Sequence, residues 1–135
     1  MNIQVFTDGG ARGNPGPAGI GVVIVDRDSG KKLEEHSVYL GKTTNNQAEY
    51  RAAILGLERA IALDAHSVEL VADSELIIKQ ARGEYKVKNA DLAKRFLELK
   101  NLETKLGARV QYRHVKREHN KRADALANQA MDRLK

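Results

Sequence analysis

Hydrophobic and polar residues alternate along several segments of the chain, and this period of two is typical of β-strands. The alternation predicts five strands, at about residues 2–8, 19–26, 32–41, 68–72 and 109–115. The second and third strands are separated only by Asp26 to Gly30, a sequence rich in turn-forming residues. A hairpin therefore joins these two strands.

Apolar residues recur at helical spacing in the rest of the chain. This pattern predicts four helices, at about 45–63, 75–82, 91–106 and after residue 120. Thr44 and Gln47 fit a capping box before the first helix, and Gly83 and Gly107 follow the second and third helices as stop signals. The last helix has the most regular apolar face, formed by Ala123, Leu126, Ala127, Ala130, Met131 and Leu134.

The resulting order of elements, βββαβααβα, predicts an α/β fold. The first three strands form an antiparallel sheet, and the last two return through helical crossovers and run parallel to the first strand. If strand 1 is central, strands 1 and 4 lie side by side. Asp8 and Asp73 then lie at matching carboxyl ends, which is where open α/β sheets place their ligands.

The composition limits the classes of function. The 135 residues are 41% hydrophobic and 30% charged, which predicts one ordinary globular domain. The absence of cysteine excludes disulfides, zinc–thiolate sites and thiol nucleophiles. The longest apolar run, Ala18 to Val25, is too short for a membrane span, and no secretory signal is visible, so we expect cytoplasmic residence. The net charge of +5 favours a polyanionic partner.

Two acidic residues occupy informative positions. Asp8 ends the first strand and precedes a stretch, 9–21, that holds six of the eleven glycines and both prolines; this composition predicts a tight turn. Glu49 lies in the first turn of the first helix, and small residues follow it at helical spacing, at Ala53, Gly56 and Ala60. Such a stripe predicts close contact with the sheet and an inward-pointing carboxylate. Each acid also has a simpler interpretation, as a turn former or as a partner of the helix dipole.

Asp124 flanks the apolar face of the last helix in its first turn, where the helix dipole is again an alternative explanation. Together with Asp8, Glu49 and Asp73 it makes four carboxylates that the topology brings together. Oxygen ligands without cysteine or histidine suit Mg²⁺ or Mn²⁺, and without metal their charges repel one another. Such carboxylate sites are typical of enzymes that hydrolyse phosphodiesters with two metal ions.

Five segments in order resemble type 1 ribonuclease H: TDGGARGNPGPAGIG, TTNNQAEYRAAILGLE, LVADSELIIKQ, EYKVKN and VKREHNKRADALANQA. The resemblance covers nearly the whole chain and is to a short prokaryotic-type member. It implies the ribonuclease H fold in a single domain of residues 1–135, with a five-stranded mixed sheet of order 3-2-1-4-5 and helices on both faces. It also implies an endonuclease that hydrolyses the RNA strand of RNA–DNA hybrids and leaves 5′-phosphate and 3′-hydroxyl ends.

The resemblance assigns roles to individual residues. It implies that Asp8, Glu49, Asp73 and Asp124 are catalytic and hold two Mg²⁺ ions, with Mn²⁺ as a substitute. One ion would activate water and the other would stabilise the departing 3′ oxygen. Further residues would bind substrate: Asn14, Asn45 and Asn46 at the RNA 2′-hydroxyls or minor groove, and Thr44 and Asn89 at a DNA phosphate. A monomer with no organic cofactor is expected.

Two departures from the family pattern remain. Some members carry a basic, tryptophan-containing helix as a substrate handle, but here only residues 81–88 fill that space and the chain has no tryptophan. Many members also have a histidine before the last helix that helps in proton transfer or product release. His119 is the nearest candidate for this accessory role. The alternative function is a catalytically weak RNA–DNA hybrid or RNA-binding module of the same fold. The glycines match neither a P-loop nor a dinucleotide-binding pattern.

Overall fold

A five-stranded sheet of order β3-β2-β1-β4-β5 is the centre of the computed structural model, which describes residues 1–107 and 109–133. The strands are β1 (Asn2–Ala11), β2 (Gly16–Asp26), β3 (Lys32–Thr43), β4 (Ser67–Ala72) and β5 (Val110–His114). β1 pairs antiparallel with β2 and parallel with β4, while β2 pairs antiparallel with β3 and β4 pairs parallel with β5. The predicted sheet and its strand order are thereby confirmed.

The helices are α1 (Asn45–Ala62), α2 (Glu75–Ala81), α3 (Ala90–Leu106) and α4 (Lys121–Asp132), and a single 3₁₀ turn covers Arg117–His119. Thr44 Oγ1 accepts a hydrogen bond of 3.2 Å from the Gln47 amide and so caps α1, as the capping box predicts. Leu134, predicted on the apolar face of α4, lies outside the described residues. None of the helices in the described part of the chain combines the length and the apolar content needed to cross a bilayer.

Helices lie on both faces of the sheet. On one face, the main apolar cluster joins β1 and β4 to α1 and α3, with Ile3, Val5, Leu57, Leu70 and Leu99 all fully buried. Full burial of each such side chain is worth about 1.5–3 kcal/mol relative to exposure. On the other face, α4 packs against β2 through Ala123 and Leu126. The core therefore fixes α1 and α4 on opposite sides of β1.

The first strand does not end at Asp8. β1 continues to Ala11, with Gly9 paired to Ile20 and Gly10 paired to Gly19, and the turn occupies only residues 12–15. Within the glycine-rich stretch only Gly13 has a positive φ, of 96°. The prediction of a turn directly after Asp8 is wrong, because most of these glycines lie in strands.

Close helix packing accounts for glycines at these strand positions. A Cβ atom on Gly9 would lie 2.5 Å from the carbonyl carbon of Ala48 in α1, and one on Gly21 would overlap the carbonyl oxygen of Ala123 in α4. Without side chains at these positions, the two helices contact the sheet backbone directly.

Candidate active site

A crevice of about 420 Å³ opens at the edge where β1 and β4 stop pairing. The last pair of the two strands is Thr7 with Ala72, so Asp8 and Asp73 are the next residues of each chain segment. Glu49 enters the crevice from α1, and Asp124 enters it from the first turn of α4. The prediction that Glu49 lies in the first turn of its helix is wrong, because α1 begins at Asn45 and its first turn contains no acid. The four acids predicted from the sequence thus line one crevice, although they come from four separate elements.

Three of the acids are within reach of a single small cation. One carboxylate oxygen from each of Asp8, Glu49 and Asp73 lies within 4.8 Å of the other two. The carboxyl group of Asp124 is hydrogen-bonded to that of Asp8 and completes the group. Gly9 makes this spacing feasible, because a Cβ atom there would also lie 2.7 Å from the Glu49 amide and would force α1 away from β1.

Burial, together with the neighbouring acids, disfavours the charged form of these carboxyl groups. Burial, the charge of Asp73 and the hydrogen bond with Asp124 raise the pKa of Asp8 to about 8. Burial also raises the pKa of Glu49 to about 7, against the opposing effect of a hydrogen bond with Ser74. Burial raises the pKa of Asp73 as well. A donor set of crowded carboxylate oxygens, in a chain without cysteine, fits hard divalent cations such as Mg²⁺ or Mn²⁺.

One cation of the chain approaches the acids closely. Arg117, in the 3₁₀ turn, lines the crevice, and its guanidinium nitrogen lies 3.7 Å from the Asp124 carboxylate. The Arg117 charge also opposes the rise in the pKa of Asp73. Its side chain is 81% exposed and can therefore move toward a bound anion. No pattern in the sequence singles out Arg117. The signal that was available is its position between β5 and the helix that carries Asp124.

His119 lies in the same 3₁₀ turn but outside the crevice lining. Its side chain is 70% exposed, and its Nε2 atom lies 3.9 Å from the carboxylate of Glu118. In this position the imidazole points to a neighbour on its own turn. The accessory role of His119 in proton transfer stays a prediction.

Four of the residues predicted to bind substrate surround the N-terminus of α1. Asn14, in the turn between β1 and β2, accepts a hydrogen bond of 3.1 Å from the Asn45 amide through its side-chain oxygen. Asn45 also lines the crevice, while Thr44 caps the helix and Asn46 is half-buried beside it. The turn and the helix end are thus held together next to the acids.

Asn89 lies away from this group, at the start of α3. Its side-chain oxygen accepts hydrogen bonds from the amides of Asp91 and Leu92, at 2.9 and 3.1 Å, and so caps the helix. Lys86 and Lys88 are exposed in the preceding segment, which directly connects α2 to α3 with no intervening helix. The structure therefore has a small basic segment where some family members have the longer handle.

Asn120 has a contact that the sequence did not reveal. It occupies the N-cap position of α4, but its side chain makes no capping hydrogen bond. Instead, Nδ2 donates a hydrogen bond of 2.9 Å to the carbonyl oxygen of Thr7, the residue before Asp8. An asparagine at this position ordinarily caps the helix with its side chain, but here the side-chain donor binds the sheet.

A comparison with family models finds a match over residues 6–130, to the family described as reverse transcriptase-like. Curated relatives include a ribonuclease H of Lachnoclostridium phytofermentans, 37% identical over 98% of this chain and 93% of that protein. A ribonuclease HI of Halobacterium salinarum is 41% identical over 96% of this chain and 64% of its own length. A bifunctional protein of Mycobacterium tuberculosis is 42% identical, but this chain spans only 36% of its length.

Solved structures of ribonuclease H proteins are also similar to this chain. The N-terminal RNase H domain of the Mycobacterium tuberculosis protein superposes with a TM-score of 0.93 at 42% identity, covering 98% of this chain and 100% of that chain. LC11-RNase H1, isolated from compost, was solved with an RNA/DNA hybrid; it has a TM-score of 0.92 at 46% identity, with 98% of each chain covered. The RNase H domain of a foamy virus, at 22% identity and a TM-score of 0.74, shares the fold.

Proposed function

Because the chain belongs to the type 1 ribonuclease H family, we propose that it is a metal-dependent endonuclease that hydrolyses the RNA strand of RNA–DNA hybrids. The main support is that Asp8, Glu49, Asp73 and Asp124 line one crevice. One carboxylate oxygen from each of the first three lies within 4.8 Å of the other two. The similarity to LC11-RNase H1, whose structure contains an RNA/DNA hybrid, supports the choice of substrate. A binding module of the same fold would have no need of four crowded acids.

The four acids would hold two Mg²⁺ ions, with Mn²⁺ as a substitute. Such ions, when bound, supply a nucleophilic hydroxide at neutral pH and stabilise the charge on the departing 3′ oxygen. The raised pKa values of Asp8 and Glu49 support this assignment, because a divalent cation would offset the burial and the neighbouring negative charges that raise them. Cleavage of the bond to the 3′ oxygen leaves 5′-phosphate and 3′-hydroxyl ends.

The polar residues around the N-terminus of α1 would hold the RNA strand. The amides of Asn14, Asn45 and Asn46 can donate and accept hydrogen bonds at 2′-hydroxyl groups, which a wide and shallow minor groove exposes. The bond from the Asn45 amide to Asn14 supports this role, because it fixes the turn beside the acids. An RNA strand bound there would place a phosphate over the crevice.

The DNA strand would be held farther from the acids. Thr44 and Asn89 each cap a helix N-terminus, where backbone amides and the helix dipole favour a phosphate. Lys86 and Lys88 would add charge beside Asn89. This set lacks the larger handle of some family members, so we expect salt-sensitive and moderate affinity for the hybrid. A monomer without organic cofactor, resident in the cytoplasm, completes the proposal.

An end-labelled RNA–DNA hybrid incubated with and without Mg²⁺ tests the proposed function. Double-stranded RNA, double-stranded DNA and single strands are the substrate controls. We expect cleavage of the RNA strand of the hybrid only, dependent on Mg²⁺ and yielding 5′-phosphate ends. Binding of the hybrid without cleavage in either Mg²⁺ or Mn²⁺ would favour the non-catalytic module instead.

A further inference from the structure

We propose that Asn120 is a positioning residue that fixes the separation between Asp8 and Asp124, and so sets the affinity of the crevice for divalent cations. The inference rests on the proposed function of these acids. Asn120 touches neither substrate nor metal in this proposal. It acts through the backbone of the two segments that carry the acids.

Hydrogen bonds of Asn120 connect the segment that carries Asp8 with the segment that carries Asp124. Its side-chain Nδ2 donates to the carbonyl oxygen of Thr7 at 2.9 Å, and Thr7 directly precedes Asp8. Its own carbonyl oxygen accepts a hydrogen bond of 3.1 Å from the amide of Asp124. A single residue thus connects the peptide next to one acid with the amide of the other, across 113 positions of sequence.

This connection lies at the end of the pairing between β1 and β4. Thr7 is the last residue of β1 that pairs with β4, so the Asn120 side chain binds the carbonyl at the point where the crevice opens. Beyond Thr7 the β4 strand no longer holds this edge of β1. The Asn120 amide therefore takes the place of a strand partner immediately before Asp8.

Asn120 does not make the side-chain hydrogen bond that usually caps a helix. An asparagine at an N-cap ordinarily uses its side-chain oxygen to accept an amide hydrogen bond from the first turn of its helix. Here the side-chain oxygen is buried without a hydrogen-bond partner among the described residues, and the whole residue is only 2% exposed. A buried polar atom without a partner destabilises the folded state. A role limited to stabilising α4 does not explain this arrangement, whereas attachment of α4 to β1 does.

Asn120 attaches α4 to a different strand from the other attachments of this helix. Gly21 sets the distance between α4 and the sheet, and Ser37 Oγ donates a hydrogen bond of 2.7 Å to the Leu126 carbonyl oxygen from the β3 side. These contacts lie along β2 and β3. Asn120 attaches the N-terminal end of α4, which carries Asp124, to the strand that carries Asp8.

The test compares Asn120→Ala with two matched controls. Ser37→Ala removes a side-chain bond that also attaches α4 to the sheet, and Tyr50→Phe removes a buried hydroxyl that donates to Gln80 at 2.5 Å and does not attach α4. The first measurement needs no substrate: the rise in melting temperature on titration with Mg²⁺. We expect Asn120→Ala to need about tenfold more Mg²⁺ for the same rise, and both controls to stay within about twofold of wild type.

The second measurement uses the hybrid. We expect Asn120→Ala to raise the Mg²⁺ concentration for half-maximal cleavage by about tenfold and to lower kcat, with KM for the hybrid within about twofold of wild type. If wild type fails to cleave, the proposed function is wrong, but the thermal titration still tests Asn120. An unchanged Mg²⁺ requirement in both measurements would overturn the inference.

Asn120→Ser serves as a second variant, because it leaves a smaller change in the buried site. If Asn120→Ala is unfolded by circular dichroism, the same shift in Mg²⁺ requirement is expected for Asn120→Ser. If both variants lose their fold while Ser37→Ala and Tyr50→Phe keep theirs, Asn120 has a purely structural role and the inference is overturned.

Discussion

Two groups of acids in this fold have opposite surroundings. On β3, Glu34 accepts two hydrogen bonds from the Arg59 guanidinium, at 2.8 and 2.9 Å, and Glu35 accepts two from Arg122, at 2.6 and 2.8 Å. These arginines lower the pKa of each glutamate to about 2. In the crevice, burial and neighbouring acids raise the pKa of Asp8 to about 8. The charged form of the carboxyl group is therefore stabilised on β3 and destabilised in the crevice.

The two regions differ in the positively charged side chains that face the acids. Each β3 acid has a bidentate arginine, whereas no crevice acid among the described residues has one. The exposed Arg117 lies 3.7 Å from Asp124, and Arg12, which also lines the crevice, is paired with Asp132. Acids without counter-charge oppose folding, and a bound divalent cation relieves that opposition. The crevice therefore has the properties of a binding site, and the β3 acids have those of a structural contact.

The largest expected effect is loss of catalysis on substitution of a crevice acid. Asp8→Asn should lower Mg²⁺-dependent cleavage of the hybrid to below about a hundredth of wild type, because it removes the carboxylate between the other three. Glu34→Gln, the matched change on β3, should stay within about twofold of wild type. Initial rates on an end-labelled hybrid measure both variants, with circular dichroism as a check of folding. Substantial cleavage by Asp8→Asn would remove Asp8 from the site.

The second effect concerns stability and has opposite signs in the two regions. Asp8→Asn should raise the melting temperature in EDTA, by about 4 °C for each kcal/mol of repulsion relieved, and this gain should shrink when Mg²⁺ is added. Glu34→Gln should lower the melting temperature, because it breaks the pairing with Arg59. Differential scanning calorimetry with and without metal measures both. A decrease for Asp8→Asn in EDTA would mean that Asp8 has a stabilising partner.

The third effect is the dependence of stability on pH without metal. The pKa of Asp8 rises from 3.8 to about 8 on folding, so the folded state binds the extra proton and stability falls as the pH rises through this window. For Glu34, whose pKa falls from 4.5 to about 2, the contribution is present above about pH 4.5 and is lost as the pH falls toward 2. Melting temperatures in chelator should therefore pass through a maximum at mildly acidic pH. Asp8→Asn should flatten the decline between pH 3.8 and about pH 8, and an unchanged decline would contradict the raised pKa of Asp8.

The smallest effects are expected at the 3₁₀ turn. Arg117→Ala should slow turnover by about tenfold, because its guanidinium lies in the crevice where a substrate phosphate would bind. His119→Ala should slow turnover by less than this, since its side chain lies outside the crevice lining. Multiple-turnover kinetics from about pH 6 to about pH 9 separate the two variants. A greater loss for His119→Ala would show that the turn rearranges when substrate binds.

The sequence predicted the fold well, because hydrophobic periodicity and crossover topology are local or nearly local properties. The convergence of Asp8 and Asp73 followed from the pairing of parallel strands, and the inward direction of Glu49 from the small-residue stripe of α1. The length of β1 was mispredicted, because a glycine in a turn and a glycine beneath a helix look the same in sequence. The partner that tells them apart for Gly9, the Ala48 carbonyl, is 39 positions away.

The details of the site were less accessible. The hydrogen bond from Asn120 to Thr7 joins residues that no local pattern connects, so the sequence did not predict it. Arg117 had no periodic or motif signal that separated it from the other surface cations. The substrate-binding residues were identified only through the resemblance to a family, because asparagines in turns and at helix ends have ordinary structural uses.

The glycine in β2 opposite Asp8 has a consequence for protein engineering. Because α4 rests on the backbone at Gly21, with no side chain between them, the height of α4 above the sheet does not depend on how the main core is filled. The apolar residues between α1, α3 and the sheet can therefore be redesigned with little effect on Asp124. A single methyl group at residue 21, in contrast, would lift the helix and act as a wedge. Libraries that vary the core but keep this position as glycine should retain the position of Asp124.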